Sequence, residues 1–256
     1  MTLRIEAFTV TGIPMIQKGD DIGVIISELA QLEHVDIVLI ASTIVSKSEG
    51  RVLALDDIAP REDANRIAHI NQEDPRFVQA VLDESDEMLI EAPFMLTKIK
   101  CGHTCVNAGV DRSNVEDGFI VPLPENPDAS AKRIKDVIFD RTGKRVGIVI
   151  TDTCGRPFRI GQTGVAVGCA GVPAMRAWKG KKDLFGRELK ATNEAIVDEL
   201  AGFANLLMGE GNGATPVVII RGVEWEECED GVRKLYRLEA EDVIKKALLA
   251  GRDVLD

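Results

Sequence analysis

Aromatic residues are scarce in this chain: 4% of 256 residues, with one Tyr and two Trp. Aliphatic packing must therefore build the core, and a hydrophobic content of 45% leaves ample material for it. No apolar run approaches the ~20 residues that span a membrane. Residues 1–14 lack the charged-then-apolar pattern of a secretory signal. Positive charge is short as well. The formal net charge is -11, the opposite of what a general nucleic-acid binder carries. The five cysteines, Cys101, Cys105, Cys154, Cys169 and Cys228, are odd in number and scattered, which fits reduced thiols better than a disulfide framework. A soluble, cytoplasmic protein is expected, with neither nucleic acid nor membrane as partner. Motif absences narrow the chemistry further. The chain has no P-loop signature, no GxSxG, no HExxH and no dinucleotide fingerprint after its first strand. Internal repeats, low-complexity segments and Pro/Ser linkers are missing too. The length allows one large domain or two small lobes.

What the chain does have is concentrated in residues 146–186. Residues 146–151, Val-Gly-Ile-Val-Ile-Thr, form an apolar, β-branched run that reads as a buried strand. Asp152 and Thr153 end it. Gly155, Pro157, Gly161, Gly164, Gly168, Gly171 and Pro173 follow, a composition that predicts loops. From Arg156 to Lys190 the charge is +6 over 35 residues, a basic island in an acidic protein. Either an anionic ligand docks there or the island is a solvated face. The neighbouring Asp152 and Thr153, able to hold a divalent cation, favour a phosphorylated substrate.

Around this stretch the chain alternates strands and helices. Strands are expected at 3–10, 36–41, 87–92 and 216–221. Helices are expected at 22–32, capped by Asp20 or Asp21, at 57–70, from Asp74-Pro75 onward, at 128–140, at 192–208 and at 239–249. In the helix over 192–208, Ile196, Val197, Leu200, Ala201, Leu206 and Leu207 are the expected core contacts. Residues 95–124 read as strands and turns.

Several short motifs invite a chemical reading. Ser42, Thr43 and Lys47 leave a strand and could cradle phosphate, or form an ordinary loop exit. Cys101, His103 and Cys105 suggest a metal, but no second ligand pair at zinc spacing exists, so His103 is expected to be a hydrogen-bonded loop histidine. Asp111 and Asn114 could supply oxygen ligands to a hard cation or a nucleotide; Asx residues also make turns for local reasons. The turn Met208-Gly209-Glu210-Gly211-Asn212-Gly213-Ala214-Thr215 lets the backbone approach a ligand, although a plain helix cap and loop explains it equally well on its own.

Taken in order, these pieces resemble the coenzyme F420-0:L-glutamate ligase family, the gamma-glutamyl ligases of deazaflavin biosynthesis. The resemblance spans roughly residues 8–222. It is carried by Gly12-Ile-Pro-Met-Ile16, Ser42-Thr43 with Lys47, residues 106–114, residues 150–157 with Arg159 and Gly161, and Met208-Gly-Glu210. Ile13 stands where leucine is frequent in that family, and Glu210 where some members have glutamine. The resemblance implies an α+β fold, a two-lobed mixed α/β subunit without a P-loop, forming a homodimer with its site near the subunit interface. The domain would cover 1–256, with residues of about 87–190 as a second lobe. It also implies GTP contacts from Ile13, Pro14, Met15, Ile16, Ser42, Thr43, Lys47, Asn114 and Met208 through Thr215. Asp111 and Asp152 would hold one divalent cation, Thr153 and Glu210 a second, as Mg²⁺ or Mn²⁺, with K⁺ as a further candidate. The implied reaction activates the lactyl carboxylate of F420-0 with GTP and joins L-glutamate to it, releasing GDP and phosphate; a second glutamate is then added to F420-1. Apart from the resemblance, the basic island from Arg156 to Lys190, with Arg156 and Arg159 foremost, is the expected dock for the substrate's phosphodiester and the carboxylates of glutamate. A related ligase acting on another acyl acceptor and a non-catalytic nucleotide-binding protein are the alternative readings. Cys154 is expected to be structural.

Overall fold

The structure, a computed structural model, describes residues 4–252. Leu3, the first residue of the strand predicted at 3–10, lies outside the described residues, as do the last four of the chain. In chain order the elements are β1 (Glu6–Thr9), α1 (Ile22–Leu29), β2 (Ile37–Ala41), α2 (Ser42–Ser48), β3 (Leu53–Ala54), α3 (Glu62–Asn71), α4 (Pro75–Glu84), β4 (Ser85–Ile90), β5 (Leu96–Ile99), β6 (Thr104–Val106), β7 (Phe119–Ile120) and α5 (Pro127–Thr142). Then come β8 (Gly147–Arg156), β9 (Arg159–Ala170), β10 (Arg176–Ala177), β11 (Asn193–Glu194), α6 (Ile196–Met208), β12 (Val217–Arg221) and α7 (Val243–Arg252). This is a mixed α/β architecture, consistent with the expected α+β class.

The central sheet has the order β1-β12-β2-β8-β9. Only the β2–β8 pair is parallel, with Ile37 opposite Gly147 and Ala41 opposite Thr151. Its strands are aliphatic on both faces because both faces are covered. Val38, Ile40, Ile148, Ile150, Val217 and Ile219 pack with α1, α4 and α5 in one cluster. Ile37, Leu39, Val149, Val218 and Ile220 alternate to the other face and pack with α6. The core is almost wholly aliphatic, with Phe77 as its one buried phenylalanine among the described residues. A smaller antiparallel sheet, β4-β5-β6, sits beside this core.

Caps fix several helix starts where the sequence put them. Asp21 accepts from the Val24 amide at 3.0 Å, and Asp74 caps α4 ahead of Pro75. α5 starts earlier than expected: Asn126 is its cap, while Asp128 bridges the amides of Cys169 (2.9 Å) and Val232 (3.0 Å). Three expectations are corrected. Residues 42–48 form a helix rather than a loop exit. Leu206 is 80% exposed and is no core contact.

The glycine-rich segment after Thr153 is mostly strand, not loop. β8 runs on to Arg156, and β9 returns antiparallel beside it. Its glycines serve close packing. A Cβ on Gly164 would lie 2.4 Å from the Ala201 carbonyl of α6, and one on Gly168 2.5 Å from the Pro127 backbone of α5. These two glycines face opposite sides because the register slips between them. Ile150 pairs with Gly168 and Thr151 with Ala166, leaving Val167 as the extra residue of a bulge.

At the end of the sheet away from that bulge, Asp36 is fully buried. Both its oxygens accept from the Arg221 guanidinium at 2.8 Å, and one also accepts from the Glu33 amide at 2.8 Å. Removing one member of such a pair strands a buried polar group. Asp36→Ala is expected to lower unfolding stability in urea by about 3 kcal/mol. A loss under about 0.5 kcal/mol would show that the pair does not lock β2 to β12.

Candidate active site

The parallel register decides where the site lies. Ala41 opposite Thr151 puts the next residues, Ser42 and Asp152, side by side where β2 ends and its parallel ladder with β8 stops. Ser42 Oγ donates to Asp152 Oδ1 at 3.1 Å. Open α/β sheets bind ligands at such strand ends. Other segments reach the same edge. The Val10 amide donates to the Val217 carbonyl and the Ala41 amide to the Pro216 carbonyl, both at 2.9 Å, so residues 11–16 and 208–215 join there. Gly19 donates to the Ser48 carbonyl at 2.8 Å, bringing the end of the first loop against α2.

Strand alternation then divides the polar groups of β8 between two faces. Asp152 lies on the side of Ser42. Asp111 and Glu210 are both near enough for their charge to raise its pKa. Burial is the larger cause, opposed by the hydrogen bonds from Ser42 and the Thr153 amide, and the carboxyl is pushed up to about 6. Asp111 is itself held by Ser113, whose amide donates at 2.8 Å and whose hydroxyl also donates. Lys47 Nζ donates to the Asn114 carbonyl. Burial lowers the Lys47 pKa, and the Asp111 charge works against that shift.

Thr153 lies on the opposite side, toward α6. Its hydroxyl donates to Glu210 Oε1 at 3.0 Å and is 3.4 Å from Asn205 Oδ1. Thus the structure brings together Ser42, Lys47, Asp111, Asn114, Asp152, Thr153 and Glu210. Ile13 and Ile16 serve the core beside this edge, whereas Met15 is 80% exposed. Thr215 closes the end of α6 by donating to the Met208 carbonyl at 3.1 Å. Arg156 and Arg159 are not part of the cluster. They pair with each other at the exposed tip of the β8–β9 hairpin, roughly 13 Å along the strand from Asp152 at ~3.3 Å per residue.

Two further contacts were not legible beforehand. His103, buried, places Nε2 3.5 Å from Cys154 Sγ, and that sulfur is 4.0 Å from Asp152 Oδ2. Desolvation holds His103 down to about 4, so the ring is neutral, and pushes the Cys154 thiol up to about 12, helped by Asp152 and Asp198. A thiol in that state is a hydrogen-bond donor, not a nucleophile. Asn205 was the other: a lone amide on an apolar helix, its only sequence signal being its place one turn before Glu210.

The donor set is hard oxygen, suited to Mg²⁺ or Mn²⁺ and unsuited to soft metals. Among the described residues no three His, Cys, Asp or Glu side chains converge closely enough to enclose a cation alone. Asp111, Asp152, Thr153 and Glu210 are the residues that could hold a divalent cation.

The chain matches the F420-0:gamma-glutamyl ligase family over residues 11–222. It belongs to that family. It is therefore an enzyme of the carbon–nitrogen bond-forming ligases. A protein of Methanosarcina mazei named coenzyme F420:L-glutamate ligase is 52% identical over 247 residues, 96% of this chain and 97% of the relative. Its namesake in Archaeoglobus fulgidus is 48% identical over 246 residues, covering 96% and 98% of the two chains. That of Haloarcula marismortui is 46% identical over 257 residues, 98% of this ligase and all of the relative. No helix among the described residues of the ligase is long and apolar enough to cross a membrane.

The raised Asp152 carboxyl has a stability consequence. Between its ordinary value near 4 and about 6 the folded state binds more protons than the unfolded one, so stability falls as pH rises through that window. Above pH 6 the burial of the charge is a standing cost. Asp152→Asn is expected to raise the melting temperature in chelator at pH 8 by about 4 °C and to leave it unchanged near pH 4. A calorimetric scan at the two pH values checks this; equal shifts at both would refute the assignment.

Proposed function

We propose that this ligase adds L-glutamate to coenzyme F420-0 at the expense of GTP, first at the lactyl carboxylate and then through a γ-linkage on F420-1. In the reaction the carboxylate oxygen attacks the γ-phosphorus of GTP, GDP leaves, and an acyl phosphate remains. The glutamate amine then attacks the acyl carbon, phosphate departs with the bonding pair, and the amine proton passes to solvent or phosphate. Both partners of the first step are anions, so the step needs charge compensation rather than a covalent nucleophile. Two divalent cations, with K⁺ as a candidate accessory, would supply that compensation. The ligase's own residues do the positioning. Asp111 and Asp152 face one side of β8 and Thr153 and Glu210 the other, with Lys47 beside Asp111. This gathering at the carboxyl end of β2, where its ladder with β8 stops, carries the reading. The turn from Met208 to Thr215 and residues 13–16 border the nucleotide, and Ser42 orients Asp152.

The basic hairpin fits a dock for the substrate's phosphodiester and glutamate carboxylates. Its tip also exposes Phe158 at 99% and Ile160 at 103%, and the segment between β10 and β11 exposes Leu184 at 101% and Phe185 at 88%. Apolar side chains left so bare beside a polar rim suit a subunit interface, in line with a homodimer that brings each hairpin to the other copy's site.

Incubating the protein with F420-0, L-glutamate, GTP and Mn²⁺ is expected to give mass gains of one and two glutamyl units, matched by GDP. GDP without a glutamylated product would mean another acceptor. In the same assay Arg156→Ala and Arg159→Ala are expected to raise the KM of F420-0 or glutamate by about tenfold; unchanged kinetics in both would remove the hairpin from the site. Sedimentation is expected to show a dimer that Phe158→Glu combined with Ile160→Glu dissociates, and a monomeric wild type would refute the interface.

A further inference from the structure

Glu210 is exposed and sits in a turn of Gly209, Gly211 and Gly213, where the backbone offers little restraint. What holds its carboxylate is α6. Asn205 Nδ2 donates to Glu210 Oε1 at 2.9 Å, and Thr153 Oγ1 donates to the same oxygen at 3.0 Å. The orientation of the Asn205 amide follows from chemistry, since a carboxylate only accepts and the NH₂ must face it. Asn205 Oδ1 is thereby turned to the Thr153 hydroxyl, 3.4 Å away. Thr153 has one proton, and the shorter contact to Glu210 takes it. With Oε1 engaged twice, Oε2 of Glu210 has no other hydrogen bond from these two groups.

The backbone beneath this triad is built to a tight tolerance. Thr153 pairs with Gly164 across the hairpin. A Cβ on Gly164 would come within 2.4 Å of the Ala201 carbonyl and 3.1 Å of Asn205 Cβ, so α6 lies directly on the strand at this point. Gly202 continues the seam, its absent Cβ 3.3 Å from Thr163 Oγ1. The helix therefore delivers Asn205 to Thr153 by backbone packing, and Asn205 in turn delivers Glu210.

We infer that Asn205 is the positioning residue that couples Glu210 to Thr153 and so sets the affinity of the second cation site. The inference rests on the two-cation reading above. It assigns Asn205 no contact with substrate: the residue acts through the two oxygen donors. Partners that orient metal ligands from behind typically govern affinity by about 10–100-fold.

The test is a Mn²⁺ titration of the full-length protein with GDP present, reading free Mn²⁺ by electron paramagnetic resonance. Asn205→Ala and the shape-keeping Asn205→Leu are expected to weaken the weaker Mn²⁺ site by about 10–100-fold. Leu206→Ala, an exposed neighbour on the same helix, is expected to change nothing. In turnover the apparent KM for Mn²⁺ should rise in parallel, with kcat at saturating Mn²⁺ within about threefold of wild type, a split that a general loss of structure would not give. Amide exchange should accelerate in residues 208–215 of both variants and not in β8. A folded Asn205 variant with wild-type Mn²⁺ affinity overturns the inference, as does unchanged exchange in 208–215. If wild-type protein itself binds no second Mn²⁺, the two-cation reading falls, and with it the effect on affinity; faster exchange would then leave Asn205 as a tether of the turn only.

Discussion

The parallel pairing of β2 with β8 is the constraint from which the site follows. The ladder between these two strands, remote in sequence, ends at Ala41 and Thr151, so Ser42 and Asp152 are neighbours by register alone. Antiparallel pairing would have placed the Asp152 end of β8 beside the start of β2, where Asp36 and Arg221 already fill the sheet's other edge. The two ends of the sheet thus hold two solutions to buried negative charge. Asp36 is neutralised permanently by a bidentate arginine. Asp152 has only a hydroxyl, an amide and a distant thiol, and it remains raised to about 6. The fold thus supplies an arginine to the buried carboxylate at one end of the sheet and none to the one at the other.

The bulge at Val167 complements the register. It lets β9 face α6 with Gly164 and α5 with Gly168, so helices press onto both sides of one strand within four residues. Beside it, the alternation of β8 sends Asp152 and Thr153 to opposite faces. Two adjacent residues thereby serve two separate clusters, one with Asp111 and Ser42, the other with Asn205 and Glu210. Bulges tend to occur where a strand must re-aim its side chains.

Much of this was readable from the chain. Aliphatic runs gave the strands, and Asp21, Asp74 and Pro75 marked helix starts because capping is local chemistry. Asp111, Asp152, Thr153 and Glu210 could be named in advance, and the structure brings Asp152 close to Asp111 and Thr153 close to Glu210. Where the reading went wrong, a tertiary contact had overridden a local preference. Gly164 and Gly168 look like loop residues until a helix backbone is laid against them. Ser42 through Ser48 is poor in helix formers, yet it is helical because it leaves a buried strand with two buried serines and Val45 turned inward. Leu206 fits a helical apolar pattern and is still exposed, since α6 meets the sheet through the face that carries Val197, Leu200, Ala201 and Ala204. Asn205 could not be found by pattern at all. Its meaning depends on a carboxylate five residues ahead and a hydroxyl 52 residues behind.

The position of β12 bears on how the protein comes into being. It is the last strand of the central sheet to be synthesised, yet it is inserted between β1 and β2, both made at the outset. Until it emerges, β1 has no partner in the sheet and Asp36 waits for an arginine 185 residues away. At about 5–20 residues per second, that interval lasts roughly ten to forty seconds on the ribosome. During it the aliphatic edge of β2 is an open template for other chains. Chaperone demand should therefore peak late in translation, and conditions that slow elongation between β2 and β12 would cost yield of folded protein even where they leave the finished molecule's stability untouched.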